Sequence, residues 1–529
     1  MPRDPLSGLI LAVGLKREGS ASLQRQLYSQ IRSLILSGQL ASGVRLPSSR
    51  TLSGDLKCAR NTVLAAFDQL FAEGYLETRH GSGTYIARIL PETLLEPSAT
   101  TNDRHQRAND LPLSSRGELL ASLARESPPQ HIAFSPSLPD VLEFPFEKWH
   151  RIHNAIWREP TRSLATHFDP AGYEPLRIAI ANYLRTSRLV ECEPSQVVIT
   201  TGVQHSIDLI ARILLNPGDV VWAEDPGYRE VRSPLLASGA NPVPIPIDSE
   251  GLSVIDGARI APNARMALVT PSHQYPTGVV MSARRRLDLL AHAARAGMWI
   301  VEDDYDSEFR YSGEPLAALQ GLDRGERVIY VGTLSKVLFP ALRLGYLVLP
   351  RRIAGRFLKA RTTLDVHPPL LEQPVLARFI NEGHLSSHIR RMRGIYQQRQ
   401  QALRESLHRY FGEDLFVGEQ RAGLHLLAHM RGNLLAGMSD VEAAARARSR
   451  GIIVHPLSNY YWGERRTDAL LFGFGCVSQK RIPLLVSELS QALMKSRGLL
   501  EYVDGAHTSE MSEPIRAGAN AAQGACGDL

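Results

Sequence analysis

Val328-Ile329-Tyr330-Val331 is an unbroken β-branched and aromatic run, and Gly332-Thr333-Leu334-Ser335-Lys336 follows it directly. A short apolar run bounded by glycine reads as a strand buried on both faces. Glycine and hydroxyl residues at the end of such a strand suit a phosphate, and a lysine there is able to form an imine with an aldehyde. Similar runs lie at Val197 to Thr200, Val220 to Ala223, Ala267 to Thr270, Trp299 to Glu302 and Leu344 to Leu349, with helical stretches between them. Strands alternating with helices predict an α/β fold with a mostly parallel sheet covered on both faces.

The other strand ends carry matching chemistry. Glu302-Asp303-Asp304-Tyr305 closes an apolar strand and sets carboxylates at the sheet's C-terminal edge, where ligands of open α/β sheets lie. A carboxylate there can keep a pyridinium nitrogen protonated. Thr200-Thr201-Gly202-Val203-Gln204 opens a helix and offers backbone N–H groups to a phosphate. Asp225-Pro226-Gly227-Tyr228 brings an aromatic ring to a third strand end, and Arg343 follows Lys336 by seven residues as a cationic phosphate partner. A lone lysine or hydroxyl is usually a surface or local backbone partner. The ordered set is what points to a cofactor.

Working outward, 529 residues exceed one compact unit, and 43% hydrophobic with 22% charged residues excludes a wholly disordered or fibrous chain. Cys58, Cys192, Cys476 and Cys526 lie far apart, which supports neither a disulfide scaffold nor a structural zinc site, and no metal ligand set is expected. The apolar run from Leu6 to Leu15 is about half a bilayer span and reads as a buried strand of a cytoplasmic protein, with no membrane partner. Residues 1–90 hold eleven Lys/Arg against six Asp/Glu, so five of the six net positive charges lie there. That asymmetry points to nucleic acid.

Residues 20–88 read as one domain. Leu23, Leu27, Ile31, Leu34 and Ile35 recur at helical spacing, Ser48 or Ser49 caps a second helix with Leu52 and Leu56 inward, and a third runs from about Asn61 to Glu73 with Val63, Leu64, Phe67, Leu70 and Phe71 buried. Tyr75 to Thr78 and Thr84 to Ile86 then alternate around Arg79-His80-Gly81-Ser82-Gly83, giving a glycine-tipped wing. Arg60-Asn61-Thr62 at the tip of the third helix has the short polar and cationic groups that reach base edges, with Arg45 and Arg50 placed for backbone phosphates or the adjacent groove. Residues 89–130 have the composition of a flexible linker, 131–495 form the α/β domain, and 496–529 read as a disordered tail.

These residues resemble known families. Leu23-Gln24-Arg25-Gln26-Leu27-Tyr28, Gly43-Val44-Arg45-Leu46-Pro47-Ser48-Ser49-Arg50, Arg60-Asn61-Thr62-Val63 and Gly81-Ser82-Gly83-Thr84 are similar to the winged helix-turn-helix of GntR-type transcription regulators. The resemblance implies contacts to double-stranded DNA from Arg45, Ser48, Arg50, Arg60, Asn61, Thr62, His80 and Gly81. The larger domain resembles the fold-type I aminotransferases, which implies pyridoxal 5'-phosphate as cofactor. By that likeness Lys336 forms the Schiff base, Asp303 pairs with the pyridine nitrogen, Tyr305 bonds the ring hydroxyl and Tyr228 stacks on the ring. Gly202, Val203, Gln204, Thr333, Ser335 and Arg343 hold the phosphate.

Two departures qualify the likeness. Pro271-Ser272-His273-Gln274-Tyr275-Pro276-Thr277-Gly278 has Tyr275 where many aminotransferases have asparagine, a form similar to the MocR-like branch of GntR regulators. Leu470-Leu471-Phe472-Gly473-Phe474 has leucines where a carboxylate-anchoring arginine is expected, leaving Arg465 or Arg466 as substitutes. The resemblance therefore implies a homodimeric, cytoplasmic regulator that senses an amine, an amino acid or the cofactor itself. A working aminotransferase with an accessory DNA-binding domain stays open, as does a large domain that serves only as a dimerisation scaffold.

Overall fold

The computed structural model describes residues 13–16, 21–79, 83–88, 112–124, 133–136, 138–158, 166, 169–313, 317–431, 435, 437–463 and 467–494. The chain divides into two units, Met1–Pro112 and Leu113–Leu529. His80, Gly81, Arg465, Arg466, residues 89–111 and the tail 496–529 lie outside the described residues.

In the first unit, α1 spans Leu23–Leu36 and is capped by the Ser22 side chain, which accepts from the Arg25 N–H. Its Leu27, Ile31 and Ile35 repeat every four residues and are buried, the spacing that keeps one helical face inward. α2 (Ser49–Asp55) starts where Ser48 Oγ accepts from Thr51 N at 3.1 Å, and α3 covers Arg60–Ala72. Gly74, at φ +81°, lets the chain turn out of α3, a left-handed position that glycine adopts without steric cost. β1 (Leu76–Arg79) and β2 (Gly83–Ile86) pair antiparallel, with Leu76 opposite Ile86 and Arg79 opposite Gly83. Leu64 is a correction: expected inside, it is 37% exposed, because the inward stripe of α3 runs through Val63, Ala66, Phe67 and Leu70. The described part of the early apolar run also differs from expectation. Gly14 and Lys16 are held by the side chains of Gln30 and Gln26 rather than by a strand ladder.

The second unit begins with α4 (Ser115–Ser122), inside the stretch whose composition suggested a linker. This short helix has no buried residue of its own and packs against α6 (Arg232–Ala237), so tertiary contact rather than local pattern accounts for it. An eight-stranded sheet then has the order β3, β10, β9, β8, β7, β4, β5, β6. Its members are β3 (Val197–Thr200), β4 (Val220–Asp225), β5 (Asn241–Asp248), β6 (Gly251–Leu252), β7 (Met266–Val269), β8 (Trp299–Asp304), β9 (Val328–Thr333) and β10 (Gly345–Val348). β4, β5, β7, β8 and β9 are mutually parallel, while β10 runs antiparallel to both β9 and β3.

Alternate strand residues face opposite layers, and both layers are dry. Val198, Ile329, Val331 and Leu347 pack with α5 (Val203–Leu214) and α7 (Arg351–Leu364) on one side. Val197, Ile199, Tyr330 and Tyr346 pack with α8 (His384–Phe411) and its neighbours on the other. That double burial is why these strands read as continuous apolar runs. A second sheet, in the order β11 (Leu415–Val417), β12 (His425–Met430), β14 (Ala469–Gly473), β13 (His455–Pro456), is wholly antiparallel. It is tied to the first where Trp462 N donates to Asp225 Oδ1 at 2.7 Å and Gly227 N to the Tyr460 carbonyl. Among the described residues no helix is long and apolar enough to cross a membrane.

Candidate functional site

The parallel strands bring Thr200, Asp225, Asp304 and Thr333 to one edge of the larger sheet. Because β10 runs the other way, pairing Gly345 with both Thr200 and Thr333, its start reaches that same edge. Arg343 thus arrives beside Gly202, where an added Cβ would lie 3.7 Å from the guanidinium carbon. Arg343 itself holds φ at +49°, a conformation that side-chain-bearing residues seldom adopt and that recurs at functional positions. Gly202 ends as the cap of α5 at φ +121° with no side chain satisfying the first turn, which leaves helix N–H groups directed outward.

A cavity of about 280 Å³ occupies this edge. Gly202, Val203 and Gln204 from the start of α5 line it, together with Thr333, Ser335 and Lys336 after β9. Asp303 and Tyr305 from the end of β8, Tyr228 after β4 and Arg343 before β10 complete the set singled out in the sequence. Lys336 is half-buried and lines the cavity. Burial lowers its pKa, against the pull of Asp306, Glu230 and Asp303.

The carboxylates around it are held out of water. Burial, then the neighbouring charges of Asp304 and Glu224, pushes Asp303 up to about 8. Its Oδ1 is buried with no hydrogen-bond partner. Glu224 accepts from Thr270 N and Oγ1 and from Gln274 Nε2, and burial still pushes it up to about 7. Asp304 differs in having its own cation: Arg188 Nε lies 2.8 Å from Oδ2, and the Tyr330 hydroxyl donates to the same oxygen at 2.5 Å. Asp303 alone of this adjacent pair therefore has an oxygen waiting for a donor.

On the smaller unit, Arg45, Arg50, Arg60 and Asn61 are exposed, and Thr62 is half-buried. Arg60 Nε donates to Ser49 Oγ at 3.3 Å, which joins the starts of α2 and α3. Arg45 lies on the wing, where a Cβ at Gly83 would meet its Nε at 2.9 Å. The α3 start at Ala59 has no side-chain cap. Ser48 is already engaged as the α2 cap and with the Thr51 hydroxyl.

Residues 23–86 match the model of bacterial regulatory proteins of the gntR family, and residues 142–468 match aminotransferase class I and II. The probable rhizopine catabolism regulatory protein MocR of Rhizobium meliloti is 38% identical over 91% of this chain and 95% of its own length. The chain belongs to the MocR-like regulators of the GntR family. The pyridoxine biosynthesis transcriptional regulator PdxR of Corynebacterium glutamicum is 32% identical over 91% of this chain and 98% of its own. Among solved structures, the kynurenine aminotransferase of Pyrococcus horikoshii is 26% identical, with a TM-score of 0.63 over 74% of this chain and 98% of that one. This MocR-like protein is thus a DNA-binding regulator with an aminotransferase-like sensor domain, and it has strong homology to pyridoxal-phosphate-dependent aminotransferases.

Several residues of this MocR-like site were not singled out in the sequence. Glu230, His455 and Tyr460 also line the cavity, beside Tyr275, which the sequence did single out. Beneath them His273, Asp306 and His425 are buried, with ligand-type atoms within 4.8 Å of one another. His273 Nδ1 lies 3.0 Å from both Asp306 Oδ2 and the Tyr305 hydroxyl, so this cluster positions Tyr305. The Pro271 to Gly278 run held a signal for His273 and Tyr275. Nothing in the sequence connects Tyr460, 185 positions away, to Tyr275.

Proposed function

We propose that this regulator binds pyridoxal 5'-phosphate in the cavity and couples its occupancy, or that of an amine entering the same site, to operator binding. The residues fit the group. Asp303 offers an unpartnered buried oxygen to a pyridinium N–H, and the charge of that ligand would bring Asp303 back to its ionised form. Lys336 is the half-buried amine beside it. Tyr305 would donate to a ring hydroxyl, Tyr228 would stack on the ring, and Gly202, Val203, Gln204, Thr333, Ser335 and Arg343, which line the same cavity, would hold the phosphate. When bound, the cofactor supplies an aldehyde that forms a Schiff base with Lys336. An amine effector entering the same cavity would change the charge inside it, a differential interaction able to bias two domain arrangements.

The observation that carries this reading is the orphaned Asp303 oxygen in a cavity it shares with Lys336. On the DNA side, Arg45, Ser48, Arg50, Arg60, Asn61, Thr62, His80 and Gly81 contact a double-stranded operator, and a homodimer in the cytoplasm presents two such surfaces. The test is an absorption titration of cofactor-free protein with pyridoxal phosphate, borohydride trapping, and operator affinity before and after loading. The expected result is a visible band, covalent trapping in wild type but not in Lys336→Ala, and an operator affinity that changes on loading. No band would overturn the cofactor site, and sustained multiple turnover with amino acids would favour an enzyme over a sensor.

A further inference from the structure

The three buried residues beneath the cavity come from distant parts of the chain. His273 lies in the segment after β7, Asp306 in the turn after β8, and His425 opens β12 of the second sheet. Their separation hides the group from any spacing motif. Each offers a ring nitrogen or a carboxylate oxygen, and these atoms lie within 4.8 Å of one another. His273 Nδ1 faces both oxygens of Asp306, at 3.1 Å and 3.0 Å, and the two imidazole centroids are 5.0 Å apart. Gly423 closes the second sheet onto the pair: a Cβ there would meet His273 Nδ1 at 2.6 Å and Asp306 Oδ2 at 2.9 Å.

Hydrogen bonding within the cluster leaves part of it unmatched. Among the described residues, both ring nitrogens of the fully buried His425 and Nε2 of the buried His273 have no hydrogen-bond partner. The Pro276 carbonyl attracts the His425 ring but does not reach hydrogen-bond geometry. An imidazole held out of water without a partner is destabilising, and native folds seldom keep one without a role or an ion to match it.

Two imidazoles and a carboxylate are a donor set for zinc and similar transition-metal ions, whereas magnesium and calcium prefer oxygen alone. A tetrahedral zinc ion with ligand bonds of about 2.1 Å needs donors about 3.4 Å apart. The His273 and Asp306 atoms already stand close to that spacing. The charges nearby also suit a cation, since the negative charges of Asp306, Asp303 and Glu224 all reach the Tyr305 hydroxyl beside the cluster. Lys336 opposes it, but burial lowers the pKa of that amine and so weakens the repulsion.

We infer that His273, Asp306 and His425 bind a divalent transition-metal ion of the zinc type, with a fourth position open to water. The Tyr305 hydroxyl lies 3.0 Å from His273 Nδ1. An ion bound through that nitrogen separates the imidazole from the hydroxyl, so metal occupancy is felt at the cavity wall, which Tyr305 lines. The inference does not depend on the cofactor reading.

The test uses the full-length protein, treated with a chelator, dialysed and titrated with Zn²⁺ against a chromophoric chelator, with the bound metal counted by elemental analysis. About one ion per chain is expected. His425→Gln and Asp306→Asn should each weaken binding at least about tenfold, and His292→Gln, at an imidazole outside the cluster, should leave it unmoved. X-ray absorption at the zinc edge of the wild type answers the same question even if a variant fails to fold: nitrogen and oxygen ligands with imidazole scattering are expected. Sulfur ligands, absence of imidazole scattering, no zinc retained by the wild type, or full affinity in both His425→Gln and Asp306→Asn would overturn the inference.

Discussion

The two recognition surfaces of this chain solve opposite problems. On the small unit Arg45, Arg50, Arg60 and Asn61 stand in solvent, where each charge is screened and contributes modestly. In the cavity Asp303 is buried and Lys336 half-buried, and burial moves the carboxyl up and the amine down. A polyanion is therefore read by a sum of small, salt-sensitive contributions. The cavity instead depends on a few groups, each of which is costly to lose because its neighbours are left buried and unmatched.

The sharpest way to break this contrast is Asp303→Asn, which keeps the shape and removes the charge. Pyridoxal phosphate affinity, measured by absorbance titration, should fall about a hundredfold or more. Combining it with Lys336→Ala should add much less than the product of the two losses. On the reader, Arg60→Ala should weaken operator binding about tenfold and reduce the slope of log affinity against log salt by about one. A second replacement, Arg45→Ala, should multiply the loss. If the reader's losses fail to multiply, its exposed groups act as a unit after all.

A smaller effect concerns pH. Asp303 is raised to about 8, and Glu224, Glu302 and Glu308 to about 7, each chiefly by burial. A carboxyl whose folded pKa lies above its unfolded value gives the folded state extra protons. Cofactor-free protein should therefore lose stability as pH rises from about 4 to about 8 and level off above that. If bound pyridoxal phosphate gives Asp303 a partner, as proposed, the gain in Tm on loading should grow across the same window, by several degrees. Smallest of all is the Arg284 and Asp288 pair, 3.9 Å apart with the arginine 86% exposed. Arg284→Ala should move Tm by less than about one degree and leave both ligands unaffected.

What was legible followed from periodicity. The three helices of the reader announce themselves through residues spaced by three and four, and Asp303 and Lys336 stand out because strands buried on both faces stay apolar until the chain reaches the sheet edge. The antiparallel β10 was legible in principle: only residues 334–344 separate it from β9, shorter than a parallel crossover needs. Helix α4 was not, since its stability comes from packing on α6. Leu64 missed its place by one position on a helix face. The hydrogen-bonded chain of Tyr275, Tyr460 and His455 was hidden because two sheets distant in sequence meet there.

The antiparallel closure of β10 onto β3 also fixes an order in time. Gly202 and Arg343 become neighbours only when Gly345–Val348 pairs with Val197–Thr200, whereas the reader is complete at Ile86. About 260 residues separate Ile86 from Val348. Domains generally fold as units during synthesis, the N-terminal one first, at about 5 to 20 residues per second. The cavity itself waits longer, because Tyr460 of its lining is made about 370 residues after Ile86, so each nascent chain carries the finished small unit for roughly 19 to 75 s before the cavity can be complete.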